Sequence, residues 1–333
     1  MASKQPERRL IHKDRFGYVF GSLKTQSYQD PAARGPGSHT IRTLAWNPTG
    51  QLIATGSANR TLRIWNPERA NARYSTELRG HSAGIEKVIF NPVRDAELAS
   101  CSSDGTVRFW DVRSKTCDDT LVPVSVESPS TPAVAINGSG AAEQKASTYS
   151  ILQSHPQNTQ TNATTFSYHI PTQSSPDLDL MATTGDGTVK IFSYPSFTLQ
   201  HTLNAHSSAC LALALAPTGR YLAVGGSDAL ISLWDTTDWV CRRTVSSEGG
   251  GTIRGVSWSF DGRFLCGSSE EVGPNGLEVF HAETGDSVHK IPASAGVPAV
   301  AWHPSRYWLA YSTMAEGSNA GGLKIVGAAG GGL

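Results

Sequence analysis

His81, Ser100 and Asp104 are the residue types that an acyl-transfer nucleophile would need: a hydroxyl, a base and a carboxylate to orient the base. The sequence repeats the set. His39, Thr55 and Asn59 stand at matching spacing, with an amide in place of the carboxylate, and His206 with Asp228 is a third instance in which Val224 takes the hydroxyl position. Each set ends on a tryptophan: Trp65, Trp110 and Trp234 follow their histidines by 26, 29 and 28 residues. In all three the acid or amide lies six residues before the tryptophan. A catalytic centre is single and needs an oxyanion hole facing a pocket. A trio recurring beside an indole is instead a buried network that must satisfy itself internally. These residues are therefore expected to be structural, and no catalytic residue is assigned. No phosphate-binding loop, dinucleotide fingerprint, zinc-protease motif or nucleophile elbow occurs, so no enzyme activity and no cofactor is expected.

The elements that position such sets recur at about 40 residues, the period of a β-propeller built of four-stranded blades. Blade 1 (37–67) reads as IRTLAW, the turn NPTG, QLIATGS and TLRIW; blade 2 (78–117) and blade 5 (202–244) repeat the plan. Weaker copies lie at 178–197 (blade 4, with Phe192 in the tryptophan's place), 253–269 with 277–286 (blade 6), and 297–312 with 321–327 (blade 7). The stretch 118–165 does not fit. CDDTLVPVSV reads as the last strand of a third blade whose first three strands have no room. Residues 128–165 carry only Glu143 and Lys145 as charges, so about 127–165 reads as a low-complexity loop. Ser128-Pro129 and Thr131-Pro132 are candidate proline-directed phosphosites there. The expected fold is all-β, a seven-bladed plan with a truncated third blade. The propeller covers 37–327, with a tail and strap at 1–36 (FGYVFGSL its likeliest ordered piece) and a flexible Gly-rich tail at 328–333.

Twenty-eight basic residues balance 28 acidic ones, which argues against an autonomous grip on nucleic acid. The exception is the N-terminal tail. Lys4, Arg8, Arg9, Lys13 and Arg15 face only Glu7 and Asp14, and are candidates for phosphate contacts or an acidic partner groove. The five cysteines are scattered and lack CxxC spacing, so neither a disulfide framework nor a metal site is expected. No apolar run approaches spanning length, and the first residues lack the apolar core of a secretory signal, so no membrane contact and an intracellular compartment are expected.

The repeat pattern resembles the WD-repeat superfamily over about 37–327. The segment 193–246, with Asn204-Ala205-His206, Ser227-Asp228-Ala229-Leu230 and Trp234-Asp235 in one blade, resembles more narrowly the WD-repeat subunit of the THO complex, fungal type. IRGVSWSFDGRFL, ETGDSVHKI and VPAVAWHPSRYWLAY carry the same likeness. The resemblance implies a non-catalytic scaffold in the nuclear THO/TREX assembly, which couples transcription to mRNA packaging and export. It also implies other THO/TREX subunits as partners, the large helical scaffold subunit above all, with RNA engaged through the complex and weakly if at all directly. Blade 3 departs from that pattern by roughly 30 residues, the length of three strands and their turns. An alternative rests on Trp110-Asp111-Val112-Arg113, a WDxR sequence of the form used by substrate receptors of cullin-RING ubiquitin ligases.

Overall fold

The structure, a computed structural model, describes residues 10–29, 40–68, 75–91, 95–104, 107–113, 116–121, 161–167, 178–194, 198–246, 250–271, 276–314 and 322–327. His39, the tail residues Lys4, Arg8 and Arg9, the phosphosite candidates Ser128 and Thr131, and the tail 328–333 lie outside them.

Among the described residues the chain forms six antiparallel four-stranded sheets and one helix. Five sheets are built from strands consecutive in sequence, as short turns between alternating apolar segments dictate. Blade 5 shows the logic most plainly. Cys210–Leu215, Tyr221–Gly226, Leu230–Asp235 and Val240–Ser246 pair in order, and Tyr221–Gly226 is buried throughout between neighbouring blades. The outer strand is exposed at six of its seven positions. Inter-blade packing forms the core. Ala54, Leu62 and Ile64 of blade 1 meet Ile85, Val88, Leu98 and Trp110 of blade 2, and Ile231 and Leu233 of blade 5 meet Ile253 and Leu265 of blade 6.

Two expectations are corrected. The segment read as the end of a third blade is the outer strand of blade 2: Thr116–Leu121 pairs with Val107–Asp111, Cys117 opposite Trp110 and Asp119 opposite Phe109. Only residues 112–115 separate the two strands, and a connection that short joins antiparallel neighbours. Thr161–Phe166, assigned to the low-complexity loop, is the inner strand of blade 4, with Phe166 opposite Leu180. No separate third-blade sheet occurs among the described residues.

The sheet that packs on blade 1 from the other side draws on segments far apart in the chain. Val300–Trp302, Leu309–Thr313 and Gly322–Val326 supply three strands of blade 7, and Thr25–Tyr28 adds the outer one, Thr25 opposite Val326 and Tyr28 opposite Leu323. The exposed edge of Gly322–Val326 is thereby hydrogen-bonded. Blade 7 packs on blade 1 through Ala310, Leu323 and Ile325 against Ile41, Leu44 and Ile53. The strap is more ordered than its sequence suggested. Lys13–Gly21 is a helix whose Phe16 and Phe20 are fully buried. Phe16 stacks on Phe264 at 4.0 Å and meets Tyr307 edge-on at 5.9 Å. Ile11 N–H donates to Tyr307 Oη at 3.3 Å, and Tyr307 in turn donates to Asp261 at 2.7 Å.

Candidate functional site

In blade 2 the four predicted residues come together. His81 Nδ1 lies 2.9 Å from Asp104 Oδ2, and His81 Nε2 lies 2.7 Å from Ser100 Oγ. Trp110 Nε1–H donates to the same hydroxyl at 2.8 Å. Asp104 also accepts from the backbone N–H of Ser82 at 2.9 Å, which ties the turn before Val107–Asp111 to the loop entering the blade. The connectivity carboxylate, imidazole, hydroxyl is that of a hydrolytic triad, but the hydroxyl is sealed. Ser100 and Trp110 are 2% and 1% exposed, and the indole N–H already occupies one lone pair of the oxygen. The arrangement can hold a turn and a strand together; it has no path to a substrate.

In blade 1 two contacts of the network lie among the described residues. Trp65 Nε1–H donates to Thr55 Oγ1 at 2.8 Å, and Asn59 Oδ1 accepts from Thr61 N–H at 3.4 Å. Blade 5 is complete by a route the spacing did not disclose. His206 Nδ1 sits 3.0 Å from both oxygens of Asp228. Its Nε2 lies 3.0 Å from Ser232 Oγ, which accepts from Trp234 Nε1–H at 2.9 Å. Ser232 is directly opposite Val224 on the adjacent strand, so the hydroxyl has crossed one rung of the ladder and stayed on the same face. The signal was present as a serine two residues before Trp234, on a strand that otherwise reads as apolar.

Other contacts hold blade to blade. Trp46 Nε1–H donates to Ala301 O at 3.1 Å and Trp258 Nε1–H to Ala214 O at 3.0 Å, each reaching back to the preceding inner strand. His303, 2% exposed, closes the seam between blades 7 and 1. Its Nε2 lies 3.0 Å from Gly50 O, and its Nδ1 accepts from Ser305 and Arg306 N–H at 3.0 and 3.1 Å. Burial pushes its pKa down to about 4. A side chain at Gly50, whose φ is +73°, would collide with the His303 ring, so this turn requires glycine.

The tail candidates separate. Lys13 is committed to an ion pair with Asp286 at 2.6 Å that pins the strap to blade 6, while Arg15 is exposed on the helix. Arg113 of the WDxR sequence folds back on Asp111, its Nε and Nη2 at 3.1 and 2.9 Å from the two carboxylate oxygens. No cluster of three or more metal-ligating side chains occurs among the described residues.

The WD domain, G-beta repeat, matches residues 33–66, 72–111 and 197–235. The β-propeller domain of Cps50 (Swd1) from Myceliophthora thermophila superposes with a TM-score of 0.65 over 88% of this chain and 98% of that one, at 17% identity, a likeness of fold. A WD repeat-containing protein of Dictyostelium discoideum, AAC3, is 28% identical over 81% of this chain and 61% of its own length. THO complex subunit 3 of Arabidopsis thaliana is 31% identical over 303 residues, which is 88% of this chain and 90% of that protein. A propeller whose repeat residues face inward, matched nearly end to end by that subunit, belongs to the family of THO complex subunit 3, a WD-repeat subunit of the THO complex.

Proposed function

We propose that this chain is a non-catalytic scaffold subunit of a nuclear THO/TREX assembly. In that role it couples transcription to mRNA packaging and export by holding other subunits, above all the large helical one. The observation that carries the reading is the near full-length match to THO complex subunit 3. The sealed networks agree with it, because they leave the repeat residues no chemistry beyond holding blades together. In this reading 37–327 is one structural unit and 1–36 serves as tail and strap. His39 completes the blade 1 network with Thr55, Asn59 and Trp65. RNA is engaged through the assembly.

Tagged full-length protein isolated from nuclear extract is expected to bring down THO subunits in constant ratio. Recovery of a ubiquitin-ligase adaptor and cullin in their place would overturn the proposal in favour of the WDxR reading. The fold-back of Arg113 onto Asp111 does not favour that outcome.

A further inference from the structure

The turn between the second and third strands of a blade has one left-handed corner, and three blades fill it with three different residues. In blade 4 it is Gly187, after Asp186, with φ +85°. In blade 5 it is Ala229, after Asp228, with φ +65°. In blade 1 it is Arg60, after Asn59, with φ +66°. The corner suits glycine and sets the Cβ of any other residue against the following carbonyl. The turn itself does not call for an arginine. It is closed by backbone bonds, Arg60 N–H to Ser57 O at 3.2 Å and Ser57 N–H to Thr61 O at 3.0 Å, which any residue could make. A long charged side chain kept in a strained corner is a mark of a binding position.

The surroundings of the corner differ as well. In blade 4 it is covered: a Cβ on Gly187 would stand 2.2 Å from His206 O and 2.7 Å from Ser208 O, on the loop entering blade 5. The matching loop of blade 2, Ser82-Ala83-Gly84, meets the blade 1 turn at Ala58, whose carbonyl would lie 2.8 Å from a Cβ on Gly84. Around that contact the two loops leave a cleft of about 450 Å³, lined by Ala58, Asn59, Arg60, Ser82, Ala83 and Gly84. Both walls are fixed. Ser82 N–H is held by Asp104 of the sealed network at 2.9 Å, Ser103 N–H donates to Gly84 O at 2.9 Å, and Ala58 N–H donates to Thr40 O at 2.9 Å.

The lining contains one charged residue, Arg60, and no acid. Arg60 is exposed, and its guanidinium has neither an ion pair nor a hydrogen bond among the described residues. The acids next to the cleft in sequence are engaged elsewhere. Asp104 is bound to His81 at 2.9 Å, and Glu86 accepts from Arg42 at 2.5 Å and from Ser103 Oγ at 2.6 Å. The cleft has no aromatic ring on which a base could stack and no apolar side chain larger than alanine, so it suits neither a nucleotide nor a hydrophobic anchor. What remains is a planar fork of N–H donors beside the exposed Ser82, the geometry that matches a carboxylate.

We infer that the cleft between blades 1 and 2 receives the carboxylate of an aspartate or glutamate on a partner protein, bound by the Arg60 guanidinium. The assembly used in the test rests on the scaffold reading; the cleft itself does not.

The test uses tagged full-length protein in its own cells, with Arg60→Gly, Arg60→Glu and, as a control, Arg220→Gln, an exposed arginine already paired with Glu283. Arg60→Gly relieves the left-handed corner, so its melting temperature is expected within about 2 °C of wild type. Both Arg60 variants are expected to recover at least tenfold less of one THO subunit, with Arg220→Gln unchanged. A benzoylphenylalanine photocrosslinker at position 82 is expected to land in a segment of that subunit containing an aspartate or glutamate. Changing that acid to lysine is expected to cost wild type its partner and to restore recovery by Arg60→Glu. Wild-type recovery by both Arg60 variants overturns the inference, as does failure of every acid-to-lysine change in the crosslinked segment to rescue Arg60→Glu. Crosslinks to RNA or to a second copy of this chain overturn it too, and loss of the partner after phosphatase treatment would replace the carboxylate with a phosphoryl group. If Arg60→Gly fails to fold, Arg60→Ala, the residue type found at the same corner of blade 5, decides. If wild type recovers no THO subunit, the scaffold reading fails, and the cleft is judged by the same charge exchange in whichever identified protein the position 82 crosslink reaches.

Discussion

The hydroxyl of blade 5 can be moved back across its ladder, and the energy of doing so follows from the geometry. Ser232→Ala leaves Trp234 Nε1–H without the acceptor it has at 2.9 Å, while His206 Nε2 loses the hydroxyl at 3.0 Å and keeps Val224 O at 3.1 Å. Leaving buried polar groups short of a partner costs about 1–3 kcal/mol, and the partial exposure of Trp234 puts the expected loss near 1–2 kcal/mol. An unfolding entropy of about 2.1 cal/mol/K per residue then gives a drop in melting temperature of roughly 1.5–3 °C for a domain of this size. Val224→Thr keeps the shape of the side chain and adds a hydroxyl at the rung that Thr55 occupies in blade 1. Alone it should destabilise, because the network is already complete. Combined with Ser232→Ala it should restore the acceptor. The double-mutant cycle, read by denaturant midpoints, is expected to show a favourable coupling of about 1–2 kcal/mol. Additive effects, with coupling below about 0.5 kcal/mol, would refute the claim that the two positions serve one network.

Asp104→Ala should cost blade 2 about 1–3 kcal/mol, with partner recovery retained in the cold; a stable variant that selectively loses partners would make the network a binding site. His303 is held neutral in the fold and titrates near 6.5 when unfolded, so below pH 6.5 the unfolded chain binds the extra proton. Its contribution is therefore full above pH 6.5 and is lost as pH falls toward 4, by about 3 kcal/mol at most. Denaturant midpoints for wild type and His303→Asn, which places at this turn the residue type of Asn47, should converge over that range, and parallel curves would exclude the histidine as the cause. Phe16→Ala and Phe20→Ala should each cost about 3–5 kcal/mol by thermal or denaturant melting, and a change under about 1 kcal/mol would mean that the strap does not hold blades 6 and 7. Changing Lys4, Arg8 and Arg9 to Gln should weaken RNA binding and flatten its salt dependence; an identical salt slope would place the phosphate contacts on the propeller.

The blades that end on Trp65, Trp110 and Trp234 were legible because an indole closing an apolar strand after a turn acid is a dense signal. Phe192, Phe280 and Val326 end their strands with less contrast, yet the alternation before them sufficed. Thr161–Phe166 was not legible. TNATTF has one apolar side chain of any size, and its pairing is set by Leu178–Thr184 beside it. Lys13–Gly21 escaped for a related reason: two phenylalanines four apart and an interior glycine make a poor helix alone, and packing on Phe264 and Tyr307 supplies what propensity lacks. Ser232 escaped because the template fixed the hydroxyl by sequence spacing, whereas the fold requires only that it occupy the right face.

The pairing of Thr25–Tyr28 with Gly322–Val326 sets an order on the birth of the molecule. At ribosomal rates of about 5–20 residues per second, the first strand is exposed for roughly 15–60 s before the strand it pairs with has been made. Phe16 and Phe20 wait just as long, because Trp302 and Tyr307 lie nearly as far along the chain. Throughout synthesis the leading end is thus an adhesive segment without its native surface. Such an end invites chaperone escort, and in a crowded polysome it can latch onto the finished last blade of a neighbouring copy.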